Sequence, residues 1–176
     1  MIFDPTFAQL LGPESLAESG IGSHSNNLRD AIVTFVTQLN ANYSAKHGDD
    51  LIKLTNRNLK ALNQIGTPIS DLNGYGTLID SMYFLFHEGV ADRLLGSKPD
   101  SFSDINVLRT DLRHDVDHGE EVKFRSKKRK LGTTFAKYGG EGTPEALNPT
   151  LFPLVQSKLL TSIKNDLEAL LSVYSK

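Results

Sequence analysis

Residues 111–119, DLRHDVDHG, hold two of the five histidines of the chain together with one arginine and three aspartates. Three readings fit these types. A guanidinium beside an imidazole suits a catalytic cluster that meets a phosphate and moves a proton. Two histidines four residues apart suit a metal, because that spacing puts both rings on one helix face. A run of polar residues is also what the solvated side of a surface helix looks like.

The element that must position them is a helix. Ser103 or Asp104 is a good cap, Ile105, Leu108, Leu112 and Val116 recur at steps of three, four and four, and Gly119 ends the pattern. The helix expected over 105–119 buries one stripe and leaves Arg109, Arg113 and Asp117 in one polar row, with Thr110, His114 and His118 in the next. Arg113 and His118 are five positions apart, about 140° around an ideal helix, so the pair does not share a face. They can meet one phosphate only if the helix unwinds near Gly119 or a second copy supplies the missing partner across a two-fold axis, and this geometric demand points to a homodimer. The metal reading uses His114 and His118 with Asp115 between them, and its third ligand would come from Glu88, Asp111 or another distant residue. The catalytic reading expects neither metal nor cofactor.

Directly after this cluster, KFRSKKRK at 123–130 places six basic residues in eight: Lys123, Arg125, Lys127, Lys128, Arg129 and Lys130. The chain has a formal net charge of -2, so nothing pulls the whole molecule toward nucleic acid and the segment is the obvious local anchor for a phosphate backbone. Its other reading is a solvated helix face balanced by Glu120 and Glu121. Tyr83, His87 and Glu88 lie at the end of the preceding apolar helix, where His87 or Glu88 could orient Arg113 or His118, or simply form a polar rim.

With 176 residues, 39% hydrophobic and 23% charged, the chain suits one soluble domain with a substantial core. Gly and Pro punctuate it, and between them apolar spacing is helical. Helices are expected over 26–46 (Leu28, Ile32, Phe35, Val36, Leu39), over Leu51, Leu54, Leu59, Leu62 and Ile65, and over TLIDSMYFLFHEG, where apolar residues cover so much of the circumference that the helix should be central. GYG at 74–76 and YGGEG at 138–142 read as turns. A charged helix or arm and a long C-terminal helix, capped by Asn148 with Pro149 first or starting near Phe152, complete an all-α bundle of about five main helices. Residues 1–25 read as an N-terminal extension to a domain over 26–176. No cysteine is present, no apolar run reaches the roughly 20 residues a membrane span needs, and the N-terminus lacks a basic region before its apolar residues. A cytoplasmic location with no membrane partner is expected.

RHDVDH near the end of an amphipathic helix, preceded by LIDSMYFLFHEG and followed by a basic segment and a final long helix, resembles the Arg-polar-x-x-x-His motif of the HEPN superfamily of helical domains. The resemblance spans roughly residues 26–175. It implies a dimerising bundle that is a metal-independent endoribonuclease or a non-catalytic RNA-binding relative. In that chemistry the ribose 2′-hydroxyl attacks the adjacent phosphate and leaves a cyclic phosphate. By the pattern, Arg113 holds the phosphate, His118 moves the proton, and His114 fills the polar position beside the arginine, with Arg109, Asp117 and Glu88 in support. Such domains resemble toxin or defence nucleases, which implies an antitoxin or NTPase partner. The rival from another class is a helical scaffold in which 105–119 is half of a dimer interface.

Overall fold

The computed structural model describes residues 13–94, 96, 98–113, 121–140 and 142–175, with side chains throughout except at 13–19, 21, 111, 113, 121–125 and 127. The described residues form six α-helices and no strand. They are α1 (Pro13–His47), α2 (Asn56–Gln64), α3 (Leu72–Tyr83), α4 (Asp100–Arg113), α5 (Glu121–Gly139) and α6 (Phe152–Tyr174). The expected all-α bundle is the fold.

Its frame is the pairing of α1 with α6, the most extensive contact between elements. His24 Nε2 lies 3.0 Å from Ser157 Oγ and Asn42 donates to Ser175 Oγ at 3.1 Å, so the two helices run parallel in constant register. Ile32, Val36 and Leu39 of α1 face Leu159, Ile163 and Leu167 of α6, all buried, while Leu28 and Phe35 pack at the margin. α1 begins thirteen residues before the expected start at 26. Gly20 and Gly22 are carried inside it, with Gly22 against Pro68, at about 1 kcal/mol each relative to alanine.

The second expected helix is shorter than its leucine spacing predicts. Leu51 and Leu54 precede α2, whose cap is Thr55, with the hydroxyl accepting from Asn58 N. The buried Asn40 amide holds the approach, donating to Ile52 O at 2.8 Å and accepting from Ile52 N at 2.9 Å, so Leu51 is buried without being helical.

α3 is central, as expected: Tyr75, Leu78, Ile79 and Met82 are buried. The turn read at GYG is helix instead, because extended Asp71 caps Gly74 N at 2.7 Å and the burial of Tyr75 draws the first turn into the core. α3 runs on into one π-helical turn, Phe84–Glu88, closed by Gly89 N donating to Phe84 O at 2.8 Å. A Cβ on Gly89 would strike the carbonyl of Leu85, so only glycine closes this turn. Its extra residue turns Phe84 and His87 outward while Leu85 and Phe86 stay buried.

Asp104 is not the cap of α4. The helix starts a turn earlier, where Asp166 of α6 accepts from Ser101 N at 3.0 Å and from Ser101 Oγ at 2.6 Å. Ile105 and Leu108 are buried and Leu112 packs at the core margin; Val116 lies outside the described residues. The basic segment belongs to α5, anchored by Leu131, Phe135 and Tyr138, and Tyr138 and Gly139 of the YGGEG stretch remain helical before Gly140 turns left-handed at φ 85°. Asn148 caps a single 3₁₀ turn begun by Pro149, and α6 starts at Phe152.

Candidate functional site

α4 contacts α3, the π turn, α5 and α6. Arg113 is the last described residue of α4. Its side chain, and His114, Asp117 and His118, lie outside what the structure describes. One turn earlier, Arg109 shows how the helix is fixed. Its Nε is 3.2 Å from Asp80 Oδ1, and its guanidinium carbon lies 4.0 Å from the centre of the Tyr83 ring. Asp80 and Tyr83 are three apart on α3 and therefore share a face. The two charged side chains are only 26% and 18% exposed, so this pair couples the helices more firmly than a solvated ion pair would.

His87, one turn beyond Tyr83, stacks on the same ring at 4.7 Å with 12° between planes. Burial, then the nearby charges of Lys98 and Arg109, hold its pKa below the ordinary imidazole value against the opposing pull of Glu88. His87 is thus neutral at physiological pH. Glu88 is exposed on the π turn and makes no ion pair among the described residues. Asp80 is the acid that holds Arg109, a role its spacing from Tyr83 could have signalled.

On the other flank, Lys128, Arg129 and Lys130 are exposed on α5. Lys123, Arg125 and Lys127 lie on the same helix, their side chains outside the described set. The chain matches no protein-family model, no curated protein and no solved structure. Among the described residues no three histidine, aspartate or glutamate side chains gather to hold a metal, and no helix is long and apolar enough to cross a membrane.

Sequence reasoning missed a second polar cluster. Asp104 accepts from Lys137 Nζ at 2.9 and 2.8 Å and from the Tyr138 hydroxyl at 2.8 Å, joining α4 to α5. Burial, then the hydrogen bond to Asp104, pushes the phenol pKa well above its usual range, so it remains a donor through alkaline pH. A cavity of about 540 Å³ opens beside them, lined by Asp100, Ser157 and Ser162 as well. Asp104 and Lys137 neutralise each other there, and the cluster locks α5 onto α4.

Proposed function

We propose that this chain is a HEPN-like helical domain acting on RNA as a metal-independent endoribonuclease of toxin or defence type, with its site assembled from the α4 ends of two copies. One observation carries the reading. The turn of α4 that precedes Arg113 is locked to α3 through Arg109, Asp80 and Tyr83, while exposed Lys128, Arg129 and Lys130 lie on the adjoining helix. Catalysis by positioning requires such a rigid mount for the reacting groups and a cationic flank for the strand.

In the proposed reaction, neutral His118 takes the proton of a ribose 2′-hydroxyl as the oxygen attacks the adjacent phosphorus. Arg113 stabilises the charge that develops on the phosphoryl oxygens, with His114 beside it. The bond from phosphorus to the 5′-oxygen breaks, and that oxygen takes up a proton. The products are a 2′,3′-cyclic phosphate and a 5′-hydroxyl end. An antitoxin or NTPase partner restrains the activity in this reading.

Purified protein incubated with RNA and excess chelator is expected to cut it, with end analysis showing cyclic phosphate. RNA bound but left intact would place the chain among non-catalytic helical modules. Cutting that stops with chelator and returns with zinc would favour the His114 and His118 metal reading instead.

A further inference from the structure

Beside the Arg109 clamp stands a cation absent from the sequence reading. The guanidinium carbon of Arg57 lies 3.3 Å from the centre of the Phe84 ring, and that of Arg109 lies 5.5 Å from the same centre. Two arginines from different helices therefore share one ring of the π turn. Like charges brought this close repel; Asp80 answers Arg109, and no carboxylate lies in ion-pair range of Arg57 among the described residues. Glu88 is the acid on the π turn itself, and Lys98 is near enough to act on His87. The cations outnumber the carboxylates in a chain whose net charge is negative.

The local backbone adds to the imbalance. Arg57 sits in the first turn of α2, which carries no acidic residue, so a cation occupies the positive end of a helix, the end where anions are favoured. The Phe84 ring holds the Arg57 guanidinium in place but does not neutralise it, whereas an anion against its fork would relieve both the repulsion and the dipole mismatch. Tyr83 and Phe84 are only half-buried, so apolar ring surface lies next to the charge, which suits a nucleotide strand better than a free inorganic anion.

We infer that Arg57 and Arg109, held over Phe84 and Tyr83, form a ledge that binds a phosphodiester of a single-stranded RNA. The ledge rests on the RNA reading above and deepens it.

The test is binding of the full chain to a fluorescent 2′-O-methyl RNA oligomer of mixed sequence, which lacks the attacking hydroxyl and so separates binding from cleavage. Arg57→Ala is expected to weaken binding about tenfold, as loss of one charged hydrogen-bonding contact does, and to reduce the slope of log affinity against log salt by about 0.7. Lys60→Ala removes an equal charge from an exposed position on the same helix and is expected to change affinity less than twofold. Thermal melting of both variants establishes that each is folded. Wild-type binding left unaltered by Arg57→Ala, or weakened equally by Lys60→Ala, would overturn the ledge and leave the RNA reading intact. No wild-type binding at low salt would overturn both.

Discussion

Replacing His118 by alanine is expected to lower RNA cleavage by about 10²- to 10⁴-fold, the usual worth of a positioned proton-transfer group. Arg113→Lys should fall almost as far although it keeps the charge, because an ammonium does not reproduce the planar fork that meets two phosphoryl oxygens. The two effects separate chemistry from attraction: the salt dependence of RNA binding should be unchanged in His118→Ala while the cleavage rate collapses. Full activity in folded His118→Ala protein, measured with chelator present, would remove the imidazole from the mechanism. Unchanged activity in Arg113→Lys would reduce the guanidinium to a generic cation.

A large loss of stability is expected from one substitution in α6. Gln156 of α6 is fully buried. Its Nε2 donates to Ile65 O at 2.9 Å and to Thr67 O at 2.8 Å, and its Oε1 accepts from Ile69 N at 3.2 Å. One side chain thereby satisfies three backbone groups of the turn between α2 and α3, two of them, at Ile65 and Ile69, on buried residues. Gln156→Leu keeps the volume and strands Ile65 O and Ile69 N, while Thr67 belongs to the exposed part of the turn. At about 1–3 kcal/mol for each unsatisfied buried group, a cost of about 2 kcal/mol or more is expected from urea unfolding, a large share of a typical 5–15 kcal/mol total. A loss under about 1 kcal/mol would mean that the turn is held by its apolar neighbours Ile65 and Ile69 instead. Exposed Gln38→Leu on α1 serves as the comparison, expected within about 0.5 kcal/mol of the parent.

The fold was legible where burial is periodic. The stripes Ile32, Val36 and Leu39, then Leu78, Ile79 and Met82, then Ile105 and Leu108 all lie in the core, because a 3.6-residue repeat leaves little choice of face. Boundaries were legible only where a local cap decides them, as at Asn148 with Pro149. They failed where a distant group intervenes. Asp166, sixty-five positions from Ser101, starts α4 a turn before Ser103, and Asn40 fixes the strand-like approach to α2 that leucine spacing renders as helix. The glycines at 74 and 76 read as a turn because the anchoring of Tyr75 in the core is a tertiary fact.

The site divides along the same line. Arg109 pairs with Asp80, which belongs to another helix, and the Arg57–Phe84 stack depends on a π turn that no spacing rule announces. The exposure of Lys128, Arg129 and Lys130 follows from α5 having its apolar anchors at Leu131, Phe135 and Tyr138, all C-terminal to the basic run. His114, Asp117 and His118 lie outside the described residues, so the grouping of the motif rests on helix geometry.

That grouping has a sharp consequence. If the guanidinium of one copy works with the imidazole of the other, Arg113→Ala and His118→Ala proteins are each inactive alone but complete one working pair when they form a mixed dimer. Equal amounts of the two variants, unfolded and refolded together to exchange subunits, should cut RNA in chelator far above the level of either by itself. Mixed dimers as inactive as their parents, or a wild-type chain that cuts RNA as a monomer, would contradict a site shared across the two-fold axis.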